Sequence, residues 1–228
     1  MKRAFGGLRT FGYGAARLLR NLTTALILTT GYAAAEELVI TAFGDSLTQG
    51  YGLRNGQGFV PQLDTWLERE GIAVDVRNAG VSGDTTAGGL SRIGWTLTPD
   101  IDGLIVTLGG NDYLRGLDPA VSRANLRGIL EVAVENDVPV MLVGLRVGSN
   151  YGLAYKEAFE AMYSDLAAEF EVPLFPGFFK GLQAAAGTEE GISEFMQRDG
   201  IHPNAEGVQL IVAAMGPAVR SFAESLQE

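Results

Sequence analysis

Five short apolar runs, each leading into a stretch of helical period, leave this chain few ways to fold. The runs are 38–43, 74–76, 103–108, 140–143 and 172–175. All are short, most are rich in β-branched residues, and turn residues or Pro bound them, which marks buried strands rather than pieces of helix. Between them, Val60, Leu63, Trp66 and Leu67 share one face of a helix expected over about 59–70. A second helix is expected near 89–97, closed off by Pro99. Asp118-Pro119 pairs a capping acid with a first-turn proline and opens a third helix that keeps its period to about Asn136. Tyr155, Phe159, Met162, Leu166 and Phe170 recur at spacings of three and four on a fourth helix, about 155–171. The last, from about Asn204, carries Val208, Ile211, Val212, Met215, Val219 and Phe222 and is expected to kink at Gly216-Pro217. Strands alternating with helices imply a parallel sheet with right-handed crossovers. The expected fold class is α/β: three layers, α/β/α, around a five-stranded parallel sheet in the flavodoxin-like order 2-1-3-4-5.

Composition removes several function classes. The net charge of −10, with no basic cluster outside the first residues, argues against a nucleic-acid surface. The chain has no cysteine, so thiol catalysis, thiolate metal sites and disulfides are all absent. Gly50-Tyr51-Gly52 lacks the third glycine of a dinucleotide-binding loop.

Residues 1–35 stand apart. Lys2, Arg3, Arg9, Arg17 and Arg20 occur with no acidic residue among them; a modest apolar run from Leu22 to about Tyr32 follows, then Ala33-Ala34-Ala35 before Glu36-Glu37. That order is the layout of a secretory signal with a small-residue cleavage site. The apolar run is short and Thr-rich for a membrane anchor. The expectation is a removed signal, a single domain over 36–228, and a periplasmic or secreted protein with no stable membrane anchor.

Three strand ends carry polar loops, and the strand order brings them to one edge of the sheet. Ser46 follows the first run in Gly44-Asp45-Ser46, Gly83 lies in the Gly- and Ser-rich loop after the second, and Asn111 follows the third. A crevice between the first and third strands would set Ser46 opposite Asn111 with Gly83 alongside. Acyl transfer suits that grouping: a hydroxyl nucleophile, with backbone N–H groups of Ser46 and Gly83 and the amide of Asn111 as donors to a developing oxyanion. Each residue also has a plainer use, since Gly, Asp, Ser and Asn all favour turns. The single histidine, His202, stands in Asp199-Gly200-Ile201-His202-Pro203. Pro203 keeps it out of helical geometry, and Asp199 can turn back to accept its Nδ1 proton, aiming Nε2 at a hydroxyl. Asp199-x-x-His202 is too poor in N and S ligands for a zinc cage, while a carboxylate-rich Mg²⁺ or Ca²⁺ site stays open at this point.

Gly44-Asp45-Ser46-Leu47, the Gly83 loop, Gly109-Gly110-Asn111-Asp112 and Asp199-Gly200-Ile201-His202-Pro203 together resemble the four ordered blocks of the SGNH, or GDSL, hydrolases. Asn78 to Thr85, Leu114-Arg115-Gly116 and Asn150-Tyr151-Gly152 resemble the bacterial arylesterase and thioesterase I/lysophospholipase L1 branch. The resemblance covers about 38–222. It implies a Ser46-His202-Asp199 triad with Gly83 and Asn111 as oxyanion partners, no metal or other cofactor, small-molecule ester or thioester substrates, and the same three-layer fold. Two positions depart from the branch pattern. Tyr113 stands where a smaller residue is usual and is expected to narrow or cap the acyl groove. Val147-Gly148-Ser149 replaces a stretch that often holds proline, and Gly148-Ser149 is expected to loosen a wall. The alternatives are a carbohydrate O-acetyl esterase on the same scaffold and a non-catalytic lipid- or carbohydrate-binding protein.

Overall fold

Five parallel strands stand in the order β2-β1-β3-β4-β5, with β1 (Leu38–Gly44) paired to β2 (Val74–Gly80) on one side and β3 (Gly103–Thr107) on the other. β4 (Val140–Val143) and β5 (Leu174–Phe175) complete the sheet. The computed structural model describes residues 37–227, so the expected signal segment lies outside the described residues. Among the described residues no helix is long and apolar enough to cross a membrane.

The strands are apolar on both faces because helices cover both. α2 (Phe59–Arg69), α7 (Lys180–Ala186) and α9 (Ala205–Ser225) pack together on one face, and α3 (Thr86–Thr96), α5 (Pro119–Glu135) and α6 (Leu153–Glu169) on the other. Ile40, Phe43, Leu104, Ile105 and Leu142 are fully buried; each such side chain contributes about 1.5–3 kcal/mol. Asp118 caps α5 by accepting from the Ala120 N–H at 2.9 Å, and Pro119 is its first residue. α9 runs through Pro217 as one helix, and Gly216 lets it lie against α2: a Cβ there would stand 2.7 Å from the Trp66 ring.

Several bounds differ from the sequence reading. β2 continues to Gly80, since its backbone pairs with β1 as far as Gly44, although its last residues are polar or small and give no hydrophobic pattern. α3 begins at Thr86, where Thr85 caps it by accepting from Gly88 N–H at 3.2 Å. α1 (Ser46–Gln49), α4 (Gly110–Leu114), α7, α8 (Glu189–Ile192) and a 3₁₀ turn at Ser193–Phe195 are too short to announce themselves by period.

Candidate active site

The end of β1 turns abruptly because Gly44 has no side chain. A Cβ there would sit 2.6 Å from the Thr107 carbonyl oxygen of β3 and 2.1 Å from Thr48 Oγ1. The next residue, Asp45, caps α1, its Oδ1 accepting from Leu47 N–H at 3.0 Å. Ser46 therefore opens a single helical turn at the carboxyl edge of the sheet.

His202 reaches that serine from the far end of the chain. Its Nε2 lies 2.8 Å from Ser46 Oγ, and its Nδ1 lies 2.7 Å from Asp199 Oδ2. The other carboxylate oxygen of Asp199 accepts the backbone N–H groups of Ile201 at 2.9 Å and His202 at 3.0 Å. These backbone bonds, with the imidazole contact, hold the Asp199 carboxyl down to about 2. With Asp199 ionised, Nδ1 carries the proton and Nε2 is left to accept the serine hydroxyl. The segment is pinned: the Gln197 N–H donates to the His202 carbonyl at 2.7 Å, and Met196 bridges Pro203.

Of the three expected oxyanion donors, Ser46 and Asn111 line one cavity, and Gly83 precedes Asp84, whose carbonyl the Asn111 amide holds. Gly83 has φ +83°, and a Cβ would meet only the Arg115 guanidinium, at 4.0 Å. The glycine is thus required by conformation, not by crowding from the protein, which refines the sequence reading of a close backbone approach. Asn111 lies on α4, its Nδ2 donating to the Asp84 carbonyl at 2.9 Å and, more weakly, approaching Asp45 Oδ2 at 3.4 Å. One amide hydrogen is committed to orientation, and the other is only loosely held.

Some residues of the site were not singled out by sequence reasoning. Asp45 is 2% exposed, and burial raises its carboxyl to about 6, against the lowering influence of the Leu47 N–H, His202 and Asn111. Asp112 is fully buried and accepts the Thr86 N–H at 2.8 Å, the Thr86 hydroxyl at 2.6 Å and the Ser122 hydroxyl at 2.9 Å, tying α4 to α3 and α5. Arg92 joins Asp84 at 2.6 Å and the Gly44 carbonyl at 2.9 Å, with its guanidinium 3.9 Å over the Phe43 ring. Asp45 and Asp112 had a usable clue in their adjacency to Ser46 and Asn111. Arg92 had none.

His202 pairs with both Asp199 and Ser46, and among the described residues no group of three or more His, Asp or Glu is arranged to hold a metal ion. Beside Ser46 opens a mostly apolar cavity of about 280 Å³, walled by Leu47, Tyr113, Leu145, Val147, Phe179 and Ile192. Tyr113 packs edge-on to Tyr151 at 5.8 Å between centroids and lines the cavity. Gly148 also lines it, and a Cβ there would stand 3.0 Å from the Tyr113 hydroxyl; Ser149 is not part of the wall.

A family model described as the GDSL-like Lipase/Acylhydrolase family matches residues 42–210. The chain is 40% identical over 187 residues to Esterase TesA of Pseudomonas aeruginosa, covering 82% of this chain and 89% of that protein. It is 37% identical over 188 residues to Thioesterase 1/protease 1/lysophospholipase L1 of Escherichia coli, covering 82% and 84%. The crystal structure of AlinE4, an SGNH-hydrolase family esterase, superposes with a TM-score of 0.66 at 44% identity, over 82% of this chain and 97% of that one.

Proposed function

The chain belongs to the GDSL-like lipase/acylhydrolase family and is an ester hydrolase, and from that premise we propose that Ser46 is its nucleophile, His202 its general base and acid, and Asp199 the group that orients the imidazole. The observation that carries this reading is the unbroken relay from Asp199 Oδ2 through His202 to Ser46 Oγ, with links of 2.7 and 2.8 Å.

Ser46 Oγ attacks the acyl carbonyl carbon while His202 Nε2 takes the hydroxyl proton. The carbonyl π electrons move onto oxygen, where the N–H groups of Ser46 and Gly83 and the Asn111 amide stabilise the charge. Collapse of the tetrahedral adduct expels the alcohol or thiol, which takes the proton from His202. Water then gives a proton to His202 and attacks the acyl-enzyme, releasing the acid and regenerating Ser46. Asp199 stays ionised throughout.

The substrates we assign are carboxylic esters with aryl or short to medium acyl groups, and thioesters or lysophospholipids of similar chain. Support comes from the largely apolar cavity beside Ser46, which is near the lower end of ordinary ligand pockets, and from the relatives named as esterase, thioesterase and lysophospholipase. Export to the periplasm or medium through residues 1–35 belongs to the same proposal, on the basic, apolar and Ala-rich order of that segment. The test is a panel of aryl esters of increasing acyl length, acyl-CoA thioesters, a lysophospholipid and acetylated xylan, run with the parent and Ser46→Ala. Turnover of the esters that disappears in Ser46→Ala supports the proposal. Turnover that survives in Ser46→Ala, or hydrolysis confined to acetylated xylan, overturns the mechanism or the substrate class respectively.

A further inference from the structure

Three successive parts of the Gly83 loop are tied to α4 and the residue after it. Asp112 holds Thr86, the Asn111 amide holds the Asp84 carbonyl, and Arg115 Nη2 donates to the Gly83 carbonyl at 2.9 Å. The first two tie points sit at buried or half-buried residues; the third is exposed. Among the described residues Arg115 has no carboxylate as an ion-pair partner. Among the described residues its side chain hydrogen-bonds to the Gly83 carbonyl.

Gly83 is the third residue of a turn closed by the Asp84 N–H donating to the Val81 carbonyl at 3.1 Å. It is exposed, has positive φ, and a Cβ there would meet only the Arg115 guanidinium, at 4.0 Å. A glycine so placed turns easily about φ and ψ. Its own N–H has no acceptor among the described residues. A charge-assisted bond on its carbonyl restricts ψ and, together with the Val81–Asp84 turn, limits how the residue can be placed. The planar guanidinium fork loses less freedom in such a contact than an ammonium on a free stem. Arg115 also directly follows Tyr113 and Leu114, which line the cavity beside Ser46.

We propose that Arg115 is a positioning residue: by holding the Gly83 carbonyl it fixes the direction of the Gly83 N–H, and so governs oxyanion stabilisation without touching the substrate. This rests on Gly83 serving as an oxyanion donor, as proposed above. A residue acting this way affects the tetrahedral state and leaves ground-state binding alone, so its loss appears in kcat and not in KM.

The experiment measures kcat and KM for a neutral aryl ester, thermal midpoint, and inhibition by a short alkyl boronic acid, whose tetrahedral adduct presents an oxygen to the same donors. Arg115→Ala, Arg115→Gln, Arg115→Lys, Asn111→Ala and Ser46→Ala are compared with the parent. Arg115→Ala and Arg115→Gln should lower kcat about 5–30-fold, below the loss typical of a direct donor, with KM within about twofold. Boronate affinity should fall by the same factor as kcat, with no matching fall in thermal midpoint, and Arg115→Lys should recover part of both. A change confined to KM would make Arg115 a substrate contact and overturn the proposal, as would a fall in kcat with boronate affinity unchanged. If Ser46→Ala and Asn111→Ala collapse activity while both neutral Arg115 variants match the parent, this inference alone fails. If Ser46→Ala stays active, the underlying mechanism fails with it.

Discussion

The Tyr51 ring packs against the His202 imidazole, with centroids 4.7 Å apart and planes tilted by 38°. An aromatic face this close favours the imidazolium that forms when Ser46 gives up its proton, a contact worth about 0.5–1 kcal/mol at exposed sites. Tyr51→Ala should therefore lower kcat roughly 2–5-fold, while Tyr51→Phe, which keeps the ring, stays near the parent. Steady-state kinetics on an aryl ester check this; equal losses in both variants would assign the effect to the hydroxyl instead.

Asp45 makes stability depend on pH in a direction opposite to most carboxylates. Burial raises it to about 6 from an ordinary 3.8. Below the ordinary value both folded and unfolded chains hold the proton, and no stability is lost. As pH rises toward 6 the unfolded chain ionises first, so the folded state is progressively penalised, and above 6 the penalty is constant. Asp45→Asn keeps an N-cap acceptor for α1 and removes the charge. It should unfold at higher denaturant than the parent at pH 7, by up to about 3 kcal/mol, with the gap closing by pH 4. A gap that is independent of pH, or of reversed sign, would contradict the assignment.

Asn111→Ala should cost roughly 10²–10³ in kcat, the usual loss for an oxyanion donor. Circular dichroism should show the fold intact, because Asp112 still ties Thr86 to α4. Full activity in this variant would remove Asn111 from the site.

Gly44→Ala should destabilise the protein severely. The new methyl would fall 2.6 Å from the Thr107 carbonyl oxygen, which belongs to the adjacent strand and cannot move aside cheaply. A drop of about 1–3 kcal/mol or more is expected in urea unfolding. A thermal midpoint equal to the parent's would show that β1 and β3 separate more readily than this packing implies.

The fold was legible because its signals are local. Apolar runs such as 38–43 and 140–143 declare buried strands within a few residues, and Met162 and Leu166 declare the inner face of α6 in the same way. Ser46, Gly83 and Asn111 could be grouped because parallel strands all end on one edge, and Asp199 and His202 because they stand only three positions apart. The supporting contacts had no such handle. Arg115 meets Gly83 across 32 positions and Asp112 meets Thr86 across 26, between loops whose lengths no pattern constrains. The polar end of β2 was hidden for a related reason: its pairing with β1 comes from backbone hydrogen bonds, and residues 78–80 offer no apolar alternation to mark it.

The catalytic predictions all presuppose that a single hydroxyl does the attacking. Treating the protein with a fluorophosphonate at neutral pH and mapping the modified peptide by mass spectrometry measures this directly. The account predicts one equivalent of label, on Ser46, with hydrolysis lost in proportion and labelling strongly slowed in His202→Ala. Label on any other residue, or full hydrolysis by protein labelled at Ser46, would contradict it.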